Sequence, residues 1–537
     1  MLHTTLDNLT PFATIEAKMR LPLKRPLMWL ALIVLAALLL RLALLPMIHH
    51  PGIGDPNHYY NLGHGLLEGR GFTIDYIWQY NNTYDTIVHP DDYWLPLTGV
   101  LAAASMAIFG KTVIGALVLF AVVGALVPVV AYYASRQFGL DEHDSLYGAA
   151  LAAVVPEFVL NSLRTDTTGP NILLVGACLL LVIEAVRHPS KRAYFVAGVC
   201  AGFAYLVRSD SALAVAVAGA VVGIYWLIGR IQPRVRVLWA LILPITALIV
   251  VAPWLLRNLT ETGSLTTPTL SNMFFLTNYN DHYVYDTPLN LETLLASQTM
   301  GQLIGKRLFE LAASAKLMLV TLDIGLPIAI AGGFLLLLAR RERDKWLTIL
   351  PVVLMVIAII VVYPILVPYK SQGGSFKKAY ITLIPLLIPI GVYALRQAVA
   401  DVRLRTGVVA ITVLLMAMNA YDLVRTQASA TDNYLANVQK AVMVLETLPD
   451  TNGDGQIILM TQDPFMLRFF GYSSIMFPLE SFDKTLEIAD KFGVDYFLMP
   501  PARPALNEIY QETASDTRLE LVVKVEGTTF EVWRSKQ

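Results

Sequence analysis

Y-W-L-P-L-T-G-V-L-A-A-A-S-M-A-I-F, residues 93–109, is the stretch on which the architecture turns. It is apolar, but it is short for a membrane crossing and carries Pro96 and Gly99. A spanning helix needs about 20 consecutive apolar residues to cross roughly 30 Å of hydrocarbon. Around this stretch lie longer runs near 27–48, 111–135, 144–162, 168–187, 193–208, 210–229, 236–256, 317–339, 346–368, 379–396 and 405–424. Hydrophobic residues make up 55% of the chain and charged ones 15%, whereas an ordinary soluble domain is about a quarter charged. One soluble core stops growing near 250–300 residues, so it cannot hide this much apolar surface. Inside hydrocarbon the backbone must bond to itself, which makes each run a helix. The fold class read from this is an α-helical polytopic membrane protein of about eleven spans.

Whether 93–109 crosses decides the side of every later loop, and charge settles it. Cytoplasmic loops collect Lys and Arg. The basic clusters are Lys18/Arg20/Lys24/Arg25, Arg136, Arg187/Lys191/Arg192, Arg230/Arg234/Arg236, Arg340/Arg341/Arg343/Lys345 and Arg396/Arg403/Arg405. With 93–109 lying at the outer interface, all of them fall inside. With 93–109 spanning, all but the first fall outside. The expectation is therefore an interfacial helix, a cytoplasmic tail over 1–26, a membrane domain over 27–425 with outer loops 49–110 and 257–316, and an extracytoplasmic α/β domain over 426–537. This is a multi-pass topology suited to a plasma membrane.

In the last segment Gln456–Met460 and Tyr496–Met499 read as strands, and Leu519–Val525 with Thr529–Trp533 as a hairpin around Gly527. Asn433–Leu448 and Ser481–Phe492 have helical spacing. D-T-N-G-D-G at 450–455 opens like a calcium loop, but its twelfth position is Thr461, so a turn is the better reading. The Leu27–Ile48 run is too long for a cleaved signal and reads as the first span. Cys178 and Cys200 sit in apolar runs as small core residues. A net charge of −1 gives no reason to expect nucleic acid as a partner.

Polar residues capable of chemistry come from distant parts of the chain, yet charge counting puts them on one side. The first outer loop holds Asp55, His58, Tyr59 and His64, in G-D-P-N-H-Y-Y-N-L-G-H-G. A carboxylate at a membrane mouth can act as a base, hold a divalent metal, or merely cap the helix that follows. H-P-D-D-Y-W, from His89, pairs Asp91 with Asp92 before the interfacial helix; a polar turn and a sugar contact are both open. Asp166 follows the third span, as a helix cap or a site acid, and Glu157 lies one turn deeper. Arg208 ends the fifth span in L-V-R-S-D, able to fork onto a phosphate or to pair with Asp210. Arg41 in the first span is expected to snorkel. Lys370, Lys377 and Lys378 break the positive-inside pattern in a glycine-bearing outer loop before Tyr380, which suits a lipid phosphate or anionic headgroups.

In this order the motifs resemble the GT-C superfamily of membrane glycosyltransferases. The likeness is to the branch of protein O-mannosyltransferases and the lipid A aminoarabinose transferase. It rests on Asp55–Arg70, the His89–Gly110 segment, Asp166, L-V-R-S-D and K-K-A-Y-I-T-L-I-P-L-L-I-P, and covers nearly the whole chain. The first-loop acidic pair of those proteins is here Asp55-Pro56, and their H-P-P is His89-Pro90-Asp91; the W-W-D-Y-G motif of oligosaccharyltransferase catalytic subunits is absent. The resemblance implies a polyprenyl-phosphate sugar donor, a glycan, lipid or protein acceptor, and an inverting transfer. Asp55 and Asp166 would be catalytic, or candidates for a divalent cation. His58, Tyr59, His89, Asp91, Asp92, Arg208, Lys377, Lys378 and Tyr380 would bind substrates. A transporter or lipid flippase is the competing reading; it should show repeated halves and broken mid-membrane helices, whereas these charges gather at one face.

Overall fold

The computed structural model describes residues 25–536 apart from 83, 233–234, 267–271, 324, 370–371, 454, 502 and 514–517. Lys18, Arg20, Lys24, Arg234 and Lys370 lie outside the described residues. Seven described helices are long and apolar enough to cross a membrane: Pro26–Met47, Val113–Gln137, Thr168–Arg187, Ser209–Leu227, Arg236–Thr262, Arg343–Leu366 and Val402–Leu445. Two bent pairs bring the number to nine: Met300–Thr321 with Leu326–Arg340, turned by 107°, and Gly374–Ile381 with Ile384–Ala398, turned by 55°. The expectation of about eleven exceeds this for a local reason. The run expected at 144–162 is two helices, Glu142–Ala153 and Pro156–Asn161, because Pro156 has no N–H to continue the ladder. The run expected at 193–208 is the 17-residue helix Lys191–Val207.

Residues 93–109 form one helix, Pro96–Phe109, of 14 residues. At 1.5 Å per residue it is about 21 Å long, short of the hydrocarbon thickness. It packs along the helix Asp55–Leu67 through glycines. A Cβ on Gly99 would stand 2.6 Å from Leu62, and one on Gly63 would stand 3.0 Å from the Ala103 backbone nitrogen. Small residues also let Lys191–Val207 pack against Ile242–Thr262, where a Cβ on Gly198 would meet the Leu243 carbonyl at 2.5 Å. Without a hydrophobic drive between helices in lipid, such close packing is what holds them together. Arg41 does not snorkel. It is fully buried, its Nε donating to Ser162 Oγ at 2.8 Å and its Nη1 to the carbonyls of Ala37 and Ala153 at 3.0 and 3.1 Å.

The long helix Val402–Leu445 passes position 426 without a break and leads into the outer α/β region. Two short strands, β1 (Thr73–Ile74) and β3 (His89–Pro90), pair antiparallel within the first outer loop. The larger sheet contains β2 (Tyr76–Ile77), β4 (Ile458–Thr461), β5 (Ser473–Met476), β6 (Tyr496–Met499), β7 (Leu519–Lys524) and β8 (Glu531–Ser535), in the order β2-β5-β4-β6-β8-β7. β2, β5, β4 and β6 run parallel, while β8 is antiparallel to β6 and β7. The strand β2 comes from the first outer loop, so that loop and the C-terminal region share one sheet. The 450–455 segment is a turn: the Asp450 carboxylate accepts from the backbone N–H groups of Asn452, Gly453 and Gly455 at 2.9, 2.7 and 2.6 Å.

Candidate active site

A cavity of about 320 Å³ opens where the first outer loop meets the ends of the spanning helices. Asp55, Tyr59, Tyr93 and Trp94 line it from the loop; Arg208, Asp210, Tyr363 and Ser375 line it from the helices, with Val207, Leu213, Val362 and Val367 as apolar wall.

Asp55 stands in the first turn of its helix, after Gly54 at a φ of 72° and before Pro56. Proline in a first turn is pre-set for helix, and an acid there suits the helix dipole. The carboxylate does not cap the helix. It accepts from Trp94 Nε1 at 3.1 Å and meets the Lys378 ammonium at 3.2 Å. The same ammonium lies 2.7 Å from Asp166 Oδ2. Asp166 serves two roles, because its Oδ1 accepts from the N–H and hydroxyl of Thr168 at 2.8 and 2.6 Å, at the start of the helix Thr168–Arg187. Burial pushes the Asp166 carboxyl up, but Lys378 and the Thr168 donors outweigh it and hold it below the ordinary carboxylate range.

Arg208 forks onto Asp210, Nε to Oδ1 at 3.1 Å and Nη2 to Oδ2 at 2.7 Å, and Nη2 reaches the Ser375 carbonyl at 3.2 Å. Its Nη1 makes no hydrogen bond to the described residues. Tyr363 donates to Asp210 at 2.6 Å. It sits in a π-helical turn, Val361–Leu366, interrupted by Pro364, and such turns often occur at functional sites. Tyr363 and Ser375 were not foreseen; the signal available was Y-P inside an otherwise apolar span.

The other expected site residues divide. Tyr59 lines the cavity. His58 does not: it is fully buried, with Nε2 3.1 Å from Asp91 Oδ2, Nδ1 2.6 Å from the Tyr76 hydroxyl and its ring stacked on Trp94 at 3.8 Å. Asp91 Oδ1 accepts from the Trp94 N–H at 3.1 Å. Lys377 turns away to Glu157, at 2.6 Å, which gives the deep glutamate its partner. Tyr380 is buried outside the cavity lining. His89 and Asp92 form a separate cluster with Tyr84. The His89 ring lies 3.8 Å from the Tyr84 ring and its Nδ1 donates to the Ile87 carbonyl at 2.7 Å; burial lowers it to about 4. Tyr84 donates to Asp92 at 3.0 Å, and the Asn82 amide also donates to the same carboxylate. Among the described residues no group of three or more His, Cys, Asp or Glu could hold a metal. Asp55 and Asp166 offer only two carboxylates, and the Lys378 ammonium stands between them.

Residues 88–256 match the family model described as dolichyl-phosphate-mannose-protein mannosyltransferase. A comparison with curated protein sequences gives no match. Among solved structures, the chain is similar to ArnT from Cupriavidus metallidurans in the apo state, with a TM-score of 0.60 at 15% identity, covering 95% of this chain and 98% of that one. The same protein bound to undecaprenyl phosphate gives 0.59 at 17% identity, covering 94% and 98%. The Archaeoglobus fulgidus oligosaccharyltransferase, in complex with Zn and sulfate, gives 0.55 at 14% identity, covering 89% of this chain and 69% of that one. Residues 88–256 are thus similar in sequence to that mannosyltransferase family, and the chain as a whole shares the fold of these solved membrane proteins.

Proposed function

We propose that the protein moves a sugar from a polyprenyl-phosphate donor to a hydroxyl of a glycan, lipid or protein acceptor at the outer face of the plasma membrane, with inversion. One observation carries this reading: an acid held by an indole, Asp55, and an arginine with a nitrogen to spare, Arg208, line one cavity whose far wall is apolar. The isoprenoid runs along Val207, Leu213, Val362 and Val367, and its phosphate takes Arg208 Nη1. The acceptor oxygen attacks the anomeric carbon while the sugar–phosphate bond breaks on the opposite face. The electron pair leaves with the lipid phosphate, and the hydroxyl proton passes to Asp55. Arg208 and the Lys378 ammonium oppose the charge that grows on the phosphate. Asp166 anchors Lys378 beside Asp55.

Asp55→Asn, reconstituted with its membranes and checked for folding by melting temperature, is expected to lose transfer by about 10²–10⁴-fold, the usual worth of a positioned base. Transfer at the wild-type rate would remove Asp55 from the chemistry.

A further inference from the structure

We infer that His58 is a positioning residue through which the C-terminal α/β region sets the geometry of Asp55; the inference rests on the glycosyltransferase reading. The contacts form one continuous path. Tyr76, in β2, is paired in parallel with Ser474 of β5, so the strand belongs to the outer sheet. Its hydroxyl meets His58 Nδ1 at 2.6 Å. The opposite ring nitrogen, Nε2, lies 3.1 Å from Asp91. With Nδ1 hydrogen-bonded to Tyr76, Nε2 beside the Asp91 carboxylate but outside hydrogen-bond geometry, and the side chain fully buried, the imidazole is confined by its neighbours on every side. Its face is stacked on the Trp94 indole at 3.8 Å, and Asp91 fixes the same tryptophan through its backbone N–H. The indole then presents Nε1–H to the Asp55 carboxylate at 3.1 Å.

A second strut reaches the same helix from the outer region. Asn57, two residues after Asp55, donates to the Phe465 carbonyl at 2.8 Å, and the Phe465 ring packs edge-on against both Tyr76 and Trp94. A carboxylate that must meet an acceptor hydroxyl depends on sub-ångström placement. Here that placement is supplied by a buried polar network whose far end is a strand of another part of the chain. The outer region is therefore a component of the active site, although none of its described residues lines the cavity.

The test uses the full-length protein in vesicles that retain native acceptors. One arm measures release of undecaprenyl phosphate from a panel of undecaprenyl-phosphate monosaccharides, and the other measures affinity for undecaprenyl phosphate itself. Trp94→Phe keeps a ring on His58 but removes the Nε1–H, and is expected to lower turnover by about 10- to 100-fold, the cost of a misplaced reacting group. Tyr76→Phe removes one hydroxyl outside the cavity and is expected to lower turnover severalfold. Both variants should bind undecaprenyl phosphate within twofold of wild type. Wild-type turnover in both variants would overturn the inference, and so would affinity falling in step with turnover. A wild-type protein that cleaves no member of the panel would overturn the glycosyltransferase reading, and the positioning role with it.

Discussion

Single residues here owe their chemistry to partners that arrive from elsewhere in the chain. Asp92 shows this at a titratable group outside the spans. Burial, and then the neighbouring Asp91, push its carboxyl from 3.8 to about 6, while Asn82 and Tyr84 pull it back only in part. A folded-state value above the unfolded one means that folding takes up a proton. The stabilisation is fully present below pH of about 4 and is lost as pH rises through about 6, amounting to at most about 3 kcal/mol. Asp92→Asn stays neutral throughout, so its melting temperature should gain on the wild type between about pH 4 and 6 and hold a constant lead above that. A lead that does not change with pH would show that Asp92 titrates as an ordinary surface acid. The residue types at the site were legible in the sequence: Asp55, Asp166, Arg208 and Lys378 stand together as charge counting implied. Their pairings were not. Lys377 and Lys378 are adjacent in sequence, yet one meets Glu157 and the other Asp55 and Asp166. His58 lies behind the cavity wall instead of in it, and no local pattern distinguishes the two places.

At the scale of elements, the site depends on two short helices that touch almost backbone to backbone. Asp55–Leu67 carries the acid and Pro96–Phe109 follows the tryptophan that holds it. Gly63 has no room: a Cβ would meet Met106 at 2.8 Å and both Ala102 and the Ala103 nitrogen at 3.0 Å. Met106 can move aside, but the neighbouring backbone cannot. Gly63→Val is therefore expected to cost about 1–3 kcal/mol as overpacking and to reduce transfer by swinging Asp55 away from Trp94. Thermal unfolding and turnover should fall together; an unchanged melting temperature would show that the helices part freely. Length and composition made the 93–109 helix legible, because an apolar stretch with an early proline and a following glycine has both ends marked. The strand Tyr76–Ile77 was not, since two residues show no alternation and only its partner β5 makes it a strand. Likewise Ser473–Met476 is too short and too mixed to read. The hairpin of β7 and β8, longer and turning around Gly527, was readable.

The whole molecule is polarised along its helices. Asp166 precedes the helix Thr168–Arg187 and Arg187 ends it, which puts them about 30 Å apart at 1.5 Å per residue. At the Asp166 end stand Asp55, Lys378 and the cavity. At the Arg187 end the basic loops are knitted to one another: Arg187 to Thr348, Arg230 to Asp344, Arg340 to Gln397, and Arg396 to Asp141 and Asp144. Cationic loops are retained on the cytoplasmic side, and by that rule we expect the cavity and the sheet at the other face. This polarity can be tested without knowing any substrate. After Cys178 and Cys200 are replaced by alanine, single cysteines go in at exposed positions: His188→Cys at the basic end, Glu292→Cys and Gln511→Cys at the other. In intact cells a membrane-impermeant maleimide is expected to label positions 292 and 511 at once, and to label 188 only after the membrane is opened. Labelling of 188 and 511 from the same side would break the link between basic loops and cytosol on which the outward-facing cavity rests. The donor lipid would then have to be sought in the opposite leaflet, while the helices, the cavity and the Asp55–Lys378–Asp166 contact would stand as they are.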